Sequence, residues 1–407
     1  MAAKPLTDFQ LQQAVNALEA YKTAIDAAKS LGLPIATFNH RLRAAKVAGF
    51  QPSEDAKILE DNTIEGMKST IRALEAKIKQ AKKDTIDDDY VKEKILKLAA
   101  APVDPPSWLI KKPKKAHTTG VPTIFASDWH WGEVVDTKQI NGVNQYDITI
   151  AQDRARYMIE TTINILKNCF ANPDYPGIIF ALGGDMVSGD IHEELSVTNE
   201  VEIMPAVIDL WGVLVWCIDT LANEFGNVFV PCVTGNHGRN THKIRAKGRN
   251  YTSFDWLLYQ FLQKRFENDS RVQFLIPSGS DAYYAVYGHR YLLTHGDQFR
   301  GGDGMIGALG PIIRGDHKKR SRNAQIDTEY DTLLLGHWHQ LIQLQRLIVN
   351  GSLKGYDEYA YSANFPFEPP RQACWITHPE HGIIFSMPIL VDRNHKPTEG
   401  EWVSWKK

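Results

Sequence analysis

Residues 121–132 read V-P-T-I-F-A-S-D-W-H-W-G. The first six are apolar or β-branched apart from Pro122, too few for a helix, and suited to a buried strand. The run then ends on Asp128 and His130, two polar groups that a core strand has no packing reason to carry. In an extended strand end, residues i and i+2 point the same way, so the pair is expected to reach one ligand together.

The same texture recurs downstream. The runs G-I-I-F-A-L-G-G-D, V-F-V-P-C-V-T-G-N-H, Y-L-L-T-H-G-D, T-L-L-L-G-H-W-H and L-I-V-N-G-S-L each end in Gly, Asp, Asn or His. Helix-like stretches, Asp153 to Asn168, Pro205 to Glu224 and Ser253 to Phe266, lie between them. Strands alternating with helices predict an α/β layered domain, with its site in the loops at the carboxyl ends of the strands. Trp129 and Trp131 either pack beneath that site or line it.

At those strand ends stand Asp128, His130, Asp185, Asn236, His237, His295, His337 and His339. Imidazole, carboxylate and amide oxygen without thiolate suit Mn, Fe or Zn, and the number of donors suits two ions. A carboxylate such as Asp185, entering after a glycine pair, is the natural bridge. Two cations about 3.5 to 4 Å apart lower the pKa of a shared water, giving a hydroxide that can attack phosphorus in line.

The ordered set D-x-H, G-G-D, G-N-H, H-G and G-H-x-H, followed by V-N-G-S-L, resembles the calcineurin-like metallophosphoesterase superfamily over residues 120–360. The opening S-D-W-H-W-G most resembles the D-W-H-L-G start of SbcD-like DNA-repair nucleases. The resemblance implies a four-layer α/β/β/α sandwich over 118–407 and two divalent ions, manganese by family habit. It implies Asp128, His130 and His339 on the first metal, Asn236, His295 and His337 on the second, and Asp185 between them. His237 would face the phosphoryl group, stabilising charge or protonating the leaving oxygen. Gly238 departs from the pattern, since many members carry an acidic residue there. D-R-G, the protein-phosphatase signature, is also missing, which disfavours that activity. His192, Glu193 and Glu194 receive no role.

Residues 1–50 resemble a helix-turn-helix domain: one helix, a break at Leu31-Gly32-Leu33, and a second helix with Phe38 and Leu42 inward. Thr37 to Lys46 would be the recognition helix, presenting Thr37, His40, Arg41, Arg43 and Lys46 to DNA. Residues 51–117 read as a charged helical linker. Within it Ile64, Met67, Ile71, Leu74, Ile78 and Ala81 form an a/d seam over 64–81, which pairs either within the chain or with a second subunit. Two basic runs adjoin the metal motifs and are expected on loops: Arg239, Lys243 and Arg245 after G-N-H, and Lys318, Lys319 and Arg320 before G-H-W-H. Both could track a phosphate backbone.

The 407 residues carry a formal net charge of −2, so any polyanion-binding surface must be local. Four scattered cysteines argue against a zinc knuckle or disulfide framework, and no signal-like or uninterrupted membrane-spanning run is present. The expectation is a cytoplasmic two-metal phosphodiesterase acting on DNA. The alternatives are an esterase for a small phosphodiester or monoester, and an inactive DNA-binding regulator on the same fold.

Overall fold

The computed structural model describes residues 6–53, 105–110, 118–300 and 309–393. The chain divides into two compact units, Met1–Ala101 and Pro102–Lys407, and each is described by itself. The expected seam at 64–81 lies outside the described residues.

In the first unit, α1 (Asp8–Tyr21) starts in a capping box between Thr7 and Gln10. Helix α2 (Ala24–Ser30) is capped by Thr23, and α3 (Ile35–Val47) follows a turn through Gly32 and Pro34. Ala14, Ala17, Ala27, Ala28 and Phe38 form the small core. Alanines at these crossings let the helices approach closely enough to enclose Phe38 on every side. Thr37, His40, Arg43 and Lys46 are exposed on α3, whereas Arg41, expected outward, is half-buried and its Nε is enclosed without a partner among the described residues.

The second unit is mixed α/β. Its first sheet runs β11-β10-β1-β2-β3-β4, using β1 (Val121–Ala126), β2 (Ile178–Leu182), β3 (Val228–Pro231), β4 (Val272–Leu275), β10 (Arg371–His378) and β11 (Gly382–Leu390). The second runs β5-β6-β7-β9-β8, using β5 (Asp281–Val286), β6 (His289–Thr294), β7 (Thr332–Leu335), β8 (Ile342–Leu344) and β9 (Leu347–Val349). Both sheets are mixed: β1 to β4 pair in parallel, as do β6, β7 and β9, with antiparallel strands at the flanks. Apart from β4, whose burial alternates, the parallel strands are the apolar runs read from the sequence, continuous because both faces are covered.

The apolar residues fall into three cores. One packs α5 (Ile148–Asn168), α6 (Ile203–Phe225) and α7 (Phe254–Arg265) on the first sheet, with Trp129, Trp131 and Met158 fully buried. Another joins Phe125, Ile179, Phe229 and Trp375 of the first sheet to Tyr284, Tyr291, Leu293 and Leu334 of the second, and takes in Leu109 from α4 (Ser107–Ile110). The third puts Ile312 of α8 (Leu309–Ala324) against Leu292, Leu333 and Val349. Each buried side chain of this size contributes about 1.5–3 kcal/mol. These cores are the rigid support for the strand-end loops.

Among the described residues, α6 is the one helix long and apolar enough by composition to cross a membrane. Ala206, Leu210, Leu214, Cys217 and Leu221 on it are instead core residues. Asp209 on it accepts from the Trp131 indole N–H at 2.8 Å. All four cysteines are free, and only Cys169 is exposed.

Candidate metal centre

Every residue of the expected donor set stands on a loop just beyond a strand. Asp128, Asp185 and His295 follow β1, β2 and β6, while His337 and His339 follow β7. The expectation that Asp128 and His130 align by strand alternation is corrected here. Both lie past the end of β1 in left-handed backbone, φ 57° and 49°, and so do Asp185 (50°), His337 (68°) and His339 (51°). Each such turn swings one side chain out of the strand's pleat and toward its neighbours.

The loops interlock through their backbones. Asp128 N–H donates to Gly184 O and His130 N–H to Asp185 O, both at 3.0 Å. Asp128 Oδ1 accepts from His337 N–H at 2.8 Å, and Asp185 Oδ1 from His237 N–H at 2.6 Å. Gly184 permits this, because a Cβ there would stand 2.3 Å from the Gly235 nitrogen. The V-N-G-S segment buttresses the first loop: Asn350 Nδ2 donates to Phe125 O and to Ser127 Oγ, and Ser352 Oγ donates to Asp128 O.

Three groups of side chains bring one donor atom each within 4.8 Å of one another: Asp128, His130 and His339; His130, Asp185 and His237; Asp185, His295 and His337. Asp185 belongs to two of them, which is the geometry a bridging carboxylate needs. His237, expected beside the ligands and not among them, has a ring nitrogen inside the second group. Asn236 Oδ1 has no hydrogen-bond partner among the described residues, although it is shielded from solvent.

The donor atoms converge. His295 Nδ1 donates to Gly183 O at 2.8 Å, which aims Nε2 at Asp185 Oδ2, 2.9 Å away. His237 is held the same way, with Nδ1 on Ser188 O at 2.9 Å. His130 Nε2 and His339 Nε2 are 3.1 Å apart. Acceptors pressed together in a buried site need protons or cations between them, and histidines tied through the other ring nitrogen to a carbonyl are oriented as metal ligands are. The residues therefore fit divalent cations.

Titration behaviour expresses the same crowding. Burial pushes His237 down to about 3 against the pull of Asp185, and burial with the His295 charge pushes His337 down to about 4. Burial would lower His295 as well, but the Asp185 carboxylate beside it wins and holds it up at about 10. Burial opposes ionisation of Asp185, yet the surrounding imidazoles, His295 first, hold it well below the usual carboxylate range.

Sequence reading missed the acidic groups behind the donors. Glu133 Oε2 stands 3.2 Å from His130 Nδ1, and Lys354 Nζ ties Glu133 (2.7 Å) to Asp357 (2.5 Å) in a buried cluster. Burial opposes ionisation of Glu133, but the Lys354 charge keeps it a carboxylate. Asp255, on α7, is fully buried and pushed up to about 6 by that burial and by Asp185. Glu133 and Lys354 each stand one residue beyond a motif, an adjacency that could have flagged them, whereas Asp255 lies outside all the motifs.

The basic runs separate on inspection. Residues Arg314 to Arg322 form part of α8 and are not a loop. Lys319 is buried against Asp281 at 2.8 Å, Arg320 pairs with Asp316 at 2.8 Å, and Lys318 is exposed. Arg239 spends its guanidinium on the carbonyls of Asn236, Thr241 and His242 in its own loop, while Lys243 and Arg245 are exposed. Trp129 and Trp131 are wholly buried, so they pack beneath the site and do not line it.

No family model and no curated protein matches the chain. Among solved structures, the chain is similar to a conserved uncharacterized protein from Streptococcus pneumoniae described as a predicted phosphoesterase, at 11% identity and TM-score 0.25, over 66% of this chain and 95% of that one. It is similar to a single mutant of Vps29 from Entamoeba histolytica at 12% identity and TM-score 0.26, over 66% and 98%. A putative 5'-nucleotidase from Staphylococcus aureus shows 11% identity and TM-score 0.29 over 69% and 56%. Likenesses this distant carry no weight on activity, which has to be argued from the side chains.

Proposed function

We propose that the chain is a calcineurin-like metallophosphoesterase that hydrolyses phosphodiester bonds in DNA with two divalent cations, manganese foremost. The observation that carries the metal reading is the convergence of buried ligand-type atoms: His295 Nε2 is 2.9 Å from Asp185 Oδ2, His130 Nε2 is 3.1 Å from His339 Nε2, and Asn236 Oδ1 has no hydrogen-bond partner among the described residues. The three stacked apolar cores support the four-layer α/β/β/α arrangement. Asp128, His130 and His339 would hold one cation, Asn236, His295 and His337 the other, and Asp185 both. The cations, when bound, would polarise a phosphoryl oxygen and lower the pKa of an attacking water.

The chain's own residues supply orientation and proton handling. Ser127 Oγ donates to Asp128 Oδ2 at 2.5 Å and His337 N–H holds Oδ1, so that carboxylate cannot rotate. His237 keeps its proton on Nδ1, against Ser188 O, so Nε2 is the atom that takes up a proton or passes one to the leaving oxygen. His192, exposed with its ring centroid 5.5 Å from that of His237, stands where substrate would arrive.

DNA as substrate is supported by the exposed Thr37, His40, Arg43 and Lys46 on α3, the helix of a helix-turn-helix-like unit, and by exposed Lys243 and Arg245. A DNA-binding unit raises the local concentration of substrate at a tethered hydrolase. A small phosphoester as substrate is favoured by a different observation: Arg239, Lys319 and Arg320 are committed to internal partners. The deciding experiment is a Mn2+-dependent assay on end-blocked linear, circular and single-stranded DNA beside bis-aryl and mono-aryl phosphates. Cleavage of DNA that stops in Asp185→Ala and His337→Ala supports the nuclease. Turnover of aryl phosphates alone replaces it with the small-ester reading.

A further inference from the structure

Asp255 is an acidic side chain that reaches the centre from outside all of its motifs. It sits in the first turn of α7, fully buried, and its Oδ2 accepts two backbone N–H groups: Asp185 at 3.0 Å and Gly235 at 2.9 Å. Those amides belong to different loops, one carrying Asp185 and the other Asn236. A single carboxylate oxygen therefore ties the G-G-D loop to the G-N-H loop. The chain around it is clasped as well, with Phe254 N–H on Gly238 O at 2.6 Å and Asn240 N–H on Thr252 O at 2.8 Å.

Gly238 makes the arrangement sterically feasible. A Cβ at 238 would lie 2.9 Å from both Cγ and Oδ1 of Asp255 and 3.2 Å from its backbone nitrogen. Gly238 is not among the residues of positive φ, so its backbone does not call for glycine. What the position needs is room. The space into which a side chain at 238 would grow is the space the Asp255 carboxyl occupies.

We infer that Asp255 is a positioning residue for the metal centre, acting by clamping the loops of Asp185 and Asn236 together, and that glycine at 238 exists to admit it. This rests on the metal-site reading above. Burial of both amides makes the clamp consequential, because an unmatched N–H in such a site loses its hydrogen bond without gaining water. The oxygen, not the negative charge, is what the two amides require.

The test is Mn2+ titration calorimetry on the full chain, paired with thermal melting in EDTA. Asp255→Ala is expected to weaken Mn2+ binding about 10- to 100-fold, the usual effect of losing a group that orients ligands. Asp255→Asn, whose amide oxygen can meet the same two N–H groups, should stay within a few-fold of wild type. Gly238→Asp alone should weaken binding by crowding Asp255, and Gly238→Asp combined with Asp255→Ala should recover much of the loss by returning a carboxylate to the vacated space. Unchanged Mn2+ affinity in Asp255→Ala overturns the inference, even if its melting temperature falls. So does a double variant that binds no better than Asp255→Ala. Should Asp255→Ala not fold, wild-type affinity in Gly238→Asp overturns it instead. A wild-type chain that binds no Mn2+ is a different result, and it removes the metal reading itself.

Discussion

Asp128, His130, Asp185, His337 and His339 all hold backbone that L-residues avoid, with φ between 49° and 68°. Strain of this kind costs about 1–3 kcal/mol per residue and persists where the surroundings over-determine it. Here the backbone bonds from Asp128 to Gly184 and from His130 to Asp185 do so. His339 has less to lose on truncation than Asp128, His130 or Asp185, since its side chain is 29% exposed and theirs are buried. His339→Gly is therefore expected to melt in EDTA at or slightly above wild type, by up to about 1 kcal/mol, because glycine carries no left-handed penalty. The same variant should bind Mn2+ more weakly, and a variant that loses stability without losing Mn2+ would contradict this account of the loop. The candidate donors were singled out by their order along the chain. Their left-handed turns were not, because local sequence favours an extended exit from β1 and only the contacts with neighbouring loops reverse it.

At the scale of elements, charge placement follows partners that lie far apart in sequence. The basic run on α8 reads as a phosphate-binding surface until β5 is laid beside it. Asp281 then takes Lys319 at 2.8 Å and Arg322 at 2.9 Å. Burial opposes ionisation of Asp281, but Lys319 prevails and holds its carboxyl below the usual range. A depressed carboxylate pKa contributes stability that is present above the unfolded value, near about 3.9, and is lost as pH falls through the folded one. Asp281→Ala should thus cost about 3–5 kcal/mol at pH 7 by leaving Lys319 buried and unpaired. Chemical denaturation at stepped pH checks this: the gap between wild type and variant should be full at neutral pH and shrink below about pH 4. A gap that does not depend on pH would mean the loss is one of packing alone.

For the whole molecule, the proposed function assigns the two units separable contributions. Arg43→Ala with Lys46→Ala removes two exposed cations from α3 and touches no residue of the metal centre. Binding to DNA, followed by fluorescence anisotropy across a salt series, should weaken and its log–log salt slope should flatten by about 0.9 for each phosphate that is no longer neutralised. Turnover of a bis-aryl phosphate should be unchanged. If both activities fall together, α3 serves the fold and not the substrate. Mn2+ at about 100 times its dissociation constant should stabilise the full chain by about 2.7 kcal/mol, visible as a raised melting temperature that EDTA reverses.

The chain alone marked β1, β2, β3, β6, β7 and β9, because short apolar runs bounded by glycine have one economical home, and it singled out the candidate donors, because each run ends in a group that a core cannot use. It also set a helix on either side of Leu31-Gly32-Leu33 and the close crossing that Ala27 and Ala28 allow, while the division of the earlier stretch into α1 and α2 came from the structure. Tertiary structure alone decided how the donors meet. Left-handed turns aim them, Gly184 and Gly238 make room, and Asp255 arrives from an element that no motif connects. Its contacts are made by a residue whose own neighbours in sequence give no sign of them. The same holds for Lys319, whose charge looks free along the chain and is taken by Asp281 only once α8 has packed beside β5.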